Sequence, residues 1–174
     1  LTYTNVLNML DLGGVTLRSR ERGANEPLIL GGGTGVYNPE PLADFFDLFI
    51  VGEAEEALPE LLRLYERRTR DLPSQRVGAA FRSLDERRAF FAEAARLEGV
   101  YVPSVYSVRY GADGGVAAVE PAVREAPACV RKRVLSDLQA HESPRRPVVP
   151  YLDAVHDRAV VEIQRGCARG CRFC

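Results

Sequence analysis

Asp47-Leu48-Phe49-Ile50-Val51-Gly52-Glu53-Ala54-Glu55-Glu56 takes the chain from an apolar run, through a glycine, into an acidic helix start. The apolar residues between Asp47 and Gly52 read as a short strand buried on both faces. The carboxylates that follow suit the first turn of a helix, where free N–H groups and the helix dipole favour negative charge. The same pattern of strand then glycine stands upstream, where Pro27-Leu28-Ile29-Leu30 runs into Gly31-Gly32-Gly33-Thr34-Gly35. Strands and helices alternating at this spacing predict a parallel α/β sheet. Ligands bind such sheets at the carboxyl ends of the strands, so Gly31, Gly32, Gly33, Gly52 and Glu53 fall together on the expected ligand edge.

Taken alone, the glycine run reads as a tight structural turn. Gly31, Gly33 and Val36 stand where a dinucleotide fingerprint needs three glycines, and no Lys-Ser/Thr pair closes it as a P-loop. Its convergence with Gly52-Glu53 on one edge is what raises it to a candidate site.

Around these two strands the remaining elements fall into place. Thr2 to Leu12 reads as a helix with Val6, Leu7, Met9 and Leu10 on its apolar face and Gly13-Gly14 at its end. Val15 to Glu26, with Arg18-Ser19-Arg20-Glu21-Arg22, reads as a solvated connection. Asn38 to Phe46 predicts a short helix with prolines in its first turn. A longer helix spans about Ala54 to Arg70, with Leu58, Leu61, Leu62, Leu64 and Tyr65 as its apolar face. Ser83 and Glu86 form a capping box for a helix running to about Leu97, ended by Gly99. Tyr101 to Tyr110 and Val116 to Val119, joined at Asp113-Gly114-Gly115, predict a β-hairpin. Val130 to Leu135 adds a candidate strand whose Arg131-Lys132-Arg133 reads as solvated surface, with RNA contact as the sharper alternative. Prolines 144, 147 and 150 mark an extended linker, after which Ala159-Val160-Val161-Glu162-Ile163 reads as another buried strand.

That last strand leads into Cys167-Ala168-Arg169-Gly170-Cys171-Arg172-Phe173-Cys174, which holds three of the four cysteines as C-x3-C-x2-C. Three thiols this close together do not make a disulfide framework, and the remaining Cys129 reads as a small buried apolar residue. A structural zinc site wants four ligands, so zinc needs His156 or Cys129 brought from elsewhere. Three thiolates in one loop suit three irons of a [4Fe-4S] cluster and leave the fourth iron open. A zinc-binding module that touches RNA through residues 131–133 is the alternative from a different class.

Composition frames both readings. The 174 residues are 46% apolar and 27% charged with a net charge of −1, which is ordinary for a globular protein and argues against a general nucleic-acid binder. No apolar run is long enough for a membrane span, and no signal pattern opens the chain. Leu1 stands where an initiating Met would, and Cys174 ends on a motif that needs structure after it. An internal fragment of a larger cytoplasmic protein is therefore the expectation.

Cys167-x3-Cys171-x-Phe173-Cys174 resembles the signature of radical S-adenosylmethionine (radical SAM) enzymes. The resemblance implies that Cys167, Cys171 and Cys174 ligate a [4Fe-4S] cluster and that Phe173 packs near the adenine of S-adenosylmethionine. It also implies an external electron donor, reductive cleavage of S-adenosylmethionine to a 5′-deoxyadenosyl radical, and a small-molecule or macromolecular substrate that the sequence leaves open.

Upstream, Gly31-Gly32, Asn38-Pro39-Glu40-Pro41, Asp47 and Gly52-Glu53-x-Glu55 are similar to the cobalamin-binding-type domain that precedes the barrel in one subgroup. Together with Val155-His156-Asp157-Arg158 and Arg165-Gly166-Cys167 they resemble a bacterial branch of radical SAM proteins with no established substrate. The implied organisation is a Rossmann-like α/β domain over residues 1–100, a hairpin and proline-rich linker over 101–150, and the first strand of a truncated (β/α) barrel over 151–174. The subgroup's D-x-H-x-x-G loop is absent, since neither His141 nor His156 has that context, so cobalamin stays open as a further cofactor.

Overall fold

The structure, a computed structural model, describes residues 3–70, 81–141 and 162–172. The chain divides into two units, Leu1–Val134 and Leu135–Cys174.

The first unit is α/β. Its helices are α1 (Tyr3–Leu12), α2 (Ala54–Thr69) and α3 (Leu84–Ala94), and its strands are β1 (Leu30–Gly31), β2 (Leu48–Ile50), β3 (Val100–Tyr101), β4 (Tyr106–Tyr110) and β5 (Val116–Pro121). The first sheet runs β1-β2-β3, with β1 and β2 parallel and β3 antiparallel to β2. The sheet is therefore mixed where the alternation predicted parallel strands throughout. The chain leaves α3 through the tight turn at Gly99 (φ +84°) instead of making another crossover, and that sends β3 back the other way.

Strand β2 is central and buried on both faces, as its apolar run requires. Leu48 and Ile50 pack into a core with Ala57, Leu61 and Leu64 of α2 and Phe90 and Ala94 of α3. Phe49 points the other way, into a second core of Val36, Leu42, Phe46 and Tyr101, against which Tyr3 and Val6 of α1 pack. The period of two along β2 thus separates two layers. Burying a phenylalanine such as Phe49 contributes about 2–3 kcal/mol by area.

Helix ends follow local chemistry. Ser83 caps α3, its Oγ accepting from the Glu86 N–H at 3.2 Å, while Glu86 accepts from the Arg82 N–H at 2.9 Å. The reciprocal bond of the capping box thus lands one residue early. The helix stops at Ala94, not Leu97, because Ala95–Leu97 tighten into a turn before Gly99. On α1 the core side is Tyr3, Val6, Leu7 and Leu10, and Met9 is 70% exposed, one step off that stripe. Leu62 is likewise 55% exposed, because α2 buries Ala57, Leu61 and Leu64 at helical spacing. Residues 40–42 form a single 3-10 turn where a short helix over 38–46 was expected, since closely spaced prolines at 39 and 41 remove donors an α-helix needs; another 3-10 turn, 34–37, follows the glycine run.

β4 and β5 form the expected hairpin around Gly111–Gly115. It begins only at Tyr106, since Val100–Tyr101 belongs to the first sheet and Pro103–Val105 is a 3-10 turn between them. The candidate strand over 130–135 reduces to one parallel bridge between Arg133 and Gly52. Cys129 is exposed, not buried, on a segment whose Pro127 carbonyl accepts the Tyr106 hydroxyl at 2.8 Å. No described helix is long and apolar enough to cross a membrane.

In the second unit the described residues, 135–141 and 162–172, form turns and irregular backbone. Most of the strand expected over 159–163 and the prolines at 144, 147 and 150 lie outside the described residues. Glu162 and Ile163 are in no strand.

Candidate metal and cofactor sites

The thiol loop is an exposed turn. Gly166 has φ +76°, which lets the backbone reverse just before Cys167. Arg165 donates to both oxygens of Glu162, at 2.6 and 2.9 Å, bracing the approach. The Cys167 Sγ accepts the Arg169 N–H at 3.3 Å, and backbone N–H bonds to sulfur stabilise thiolate charge. Cys167 and Cys171 are both exposed free thiols. Cys174 and Phe173 lie outside the described residues. Among the described residues no group of three His, Cys, Asp or Glu side chains is placed to hold a metal, as expected when the third thiol is not among them.

The carboxyl edge of β1 and β2 is built differently at each predicted residue. Gly31 is buried, and a Cβ there would run into the Phe49 and Phe46 rings, so internal packing explains this glycine. Gly32 and Gly33 face open space, Gly33 with φ +86°. An apolar cleft of about 340 Å³ touches Gly32, between Tyr3 and Val6 of α1 and Phe46 and Phe49. Gly52, φ +101°, is covered: a Cβ would overlap the backbone of Arg133. The Arg133 N–H donates to Val51 O at 2.8 Å, and the Glu53 N–H donates to Arg133 O at 3.0 Å. The segment is pinned by its side chain, which donates to Glu56 at 3.0 and 2.7 Å and to Glu60 at 2.8 and 3.4 Å. These bonds raise the Arg133 pKa further, the Glu56 bond most, against the opposing effect of burial. Arg133 is thus a structural cation with 16% of its side chain exposed, and of the predicted basic surface only Arg131 and Lys132 remain open.

Beside this edge a second cleft, about 300 Å³, is lined by Tyr37, Glu40, Val51, Tyr101, Tyr106 and Val130. Tyr101 donates to Glu40 at 2.6 Å. Burial, then the Glu40 bond and charge, push the Tyr101 phenol well up, so it stays protonated as a donor.

A buried charged cluster escaped the sequence. Arg22, expected in a solvated run, is fully buried and donates to Thr16 O, Leu17 O, Phe45 O and, at 3.0 Å, Asp47 Oδ2. Arg87 of α3 reaches the same carboxylate at 3.1 Å and donates to Gly23 O and Glu26 O. One buried aspartate between two buried arginines ties the 16–29 connection to the sheet. A single Asp at the entry of an apolar strand was the available signal for it.

In sequence, an α/β unit is followed by a loop with cysteines at C-x3-C-x2-C spacing. Residues 1–103 match the family described as radical SAM proteins, N-terminal, and the chain belongs to that family. No curated protein and no solved structure matches it.

Proposed function

We propose that the protein is a radical SAM enzyme in which Cys167, Cys171 and Cys174 hold a [4Fe-4S] cluster. One observation carries this: a C-x3-C-x2-C loop follows a module that matches the N-terminal family of radical SAM proteins. The donor set fits such a cluster. Cys167 and Cys171 are exposed soft ligands, and the Cys167 sulfur already accepts a backbone N–H, the type of bond that tunes cluster ligands. When bound, the cluster would supply an electron from an external donor for reductive cleavage of S-adenosylmethionine at its open iron. The chain's own residues would bind and orient: three thiolates hold the metal, Gly166 sets the turn, and Phe173 packs against the adenine.

Residues 1–100 are proposed as a module of cobalamin-binding type. Residues 101–150 connect it to the thiol segment, and residues 151–174 begin a barrel. Its edge does not fit cobalamin itself. Gly52 and Glu53 are covered by Arg133, Gly31 lies under Phe49, and only Gly32 and Gly33 remain open to a ligand. No step of the chemistry runs through a corrin.

Anaerobic reconstitution tests the reading: iron and sulfide should be taken up, and Cys171→Ala should abolish both the cluster signal and S-adenosylmethionine cleavage. Cleavage that survives Cys171→Ala would overturn it.

A further inference from the structure

At the amino end of β2, away from the glycine edge, lies a cavity of about 370 Å³ that the proposed chemistry does not use. It lies among the 19–22 turn, the first turns of α3 and the Pro103–Val105 turn, with Asp47 among its lining residues. We propose that it binds a small organic anion carrying a hydroxyl group beside its carboxylate or phosphate.

Charge gives the first part. Arg22 and Arg87 are buried against Asp47, and the Glu26 carboxylate lies near Arg22, so the buried group is close to neutral and attraction for an anion comes from the mouth. Arg20 and Arg88 add two cations at the mouth. Each of these has a carboxylate neighbour, Glu21 at 3.7 Å and Asp85 at 3.2 Å, but such exposed pairs are weak and readily exchanged for a ligand anion. An anion entering here gains two mobile guanidinium groups.

Hydrogen bonding gives the second part. Asp47 Oδ2 accepts from Arg22 and, at 2.7 Å, from the Ile29 N–H. Oδ1 is buried and accepts no hydrogen bond from the described residues, because Arg87 Nη2 lies at ion-pair distance without hydrogen-bond alignment. A buried carboxylate oxygen in this state demands a donor. A hydroxyl on the ligand supplies one where an ionised carboxylate alone cannot.

Shape gives the third. Phe91, Ala92, Val105 and Val123 form an apolar wall, which favours an anion with a short aliphatic body over a bare inorganic ion. The site is independent of the metal loop, so its test does not depend on a cluster.

Calorimetric titration of the chain with 2-hydroxyisovalerate and glycerol 3-phosphate should show saturable binding of at least one. Isovalerate, which lacks the hydroxyl, should bind about tenfold more weakly or worse than 2-hydroxyisovalerate. Arg88→Glu at the mouth and Ala92→Phe in the wall should abolish binding while leaving circular dichroism and Tm nearly unchanged. The proposal is overturned if neither hydroxylated probe saturates below about 10 mM. It is equally overturned if the hydroxyl makes no difference, or if both variants bind as well as the parent protein.

Discussion

Arg133 donates through both Nε and Nη2 to one oxygen of Glu56, at 3.0 and 2.7 Å, across 77 positions of sequence. With Glu60 on the next turn of α2, this bond fixes the segment that lies over Gly52. Arg133→Ala should therefore cost about 1–2 kcal/mol, the range for hydrogen bonds to charged groups after allowance for solvent screening of partly exposed glutamates. Urea denaturation checks it, and the difference from the parent should shrink in about 0.5 M salt.

Gly52 and Gly32 separate packing from ligand binding. At Gly52 a methyl group would meet the Arg133 backbone in a left-handed conformation, so Gly52→Ala should destabilise by about 2–4 kcal/mol. At Gly32 a methyl group meets nothing within 4 Å, so Gly32→Ala should change stability by no more than about 0.5 kcal/mol. Any functional loss in Gly32→Ala with an unchanged Tm then reports a ligand at the open part of the edge.

Two aspartates pair with arginines of the same turn, and the shorter contact should matter less. Arg18 and Asp44 approach to 2.7 Å but are largely exposed. Arg22 and Asp47 stand at 3.0 Å and are wholly buried. Asp44→Ala should cost less than about 1 kcal/mol. Asp47→Ala leaves two buried guanidinium groups without a counter-charge and should cost about 3–5 kcal/mol. Chemical denaturation of the two variants side by side measures the contrast.

Glu26 accepts the Gly23 N–H at 2.6 Å and the Thr16 N–H at 3.1 Å. Burial pushes its carboxyl up, but these bonds and the nearby Arg22 outweigh burial, and its pKa lies below the ordinary value of 4.5. A carboxyl with a depressed folded-state pKa contributes stability that is present above 4.5 and lost as pH falls below it. The parent protein should be more stable than Glu26→Gln at neutral pH, and the two should converge on acidification. Denaturation midpoints across that pH range provide the measurement.

How far the sequence could be read depends on the range of the interaction. The buried strand 47–51, the capped helix after Ser83 and the hairpin were all legible, because each rests on residues within a few positions of one another. The third strand's direction was not: it depends on the turn at Gly99, whose effect is seen only once β2 is in place to pair with Val100 and Tyr101. Charge was harder still. Arg22 and Arg133 sit in runs that look solvated, and their burial follows from partners 25 and 77 residues away. Gly31 and Gly52 read as part of a ligand edge, but what crowds them is Phe49 and Arg133. The three-thiol motif was read from spacing alone.

The most direct measurement is metal content after anaerobic reconstitution with iron and sulfide, on the protein and on Cys167→Ala and Cys171→Ala. A radical SAM cluster held by Cys167, Cys171 and Cys174 predicts about four irons and four sulfides per chain, lost in both variants. About one zinc per chain with no iron, unaffected by added sulfide, would contradict it.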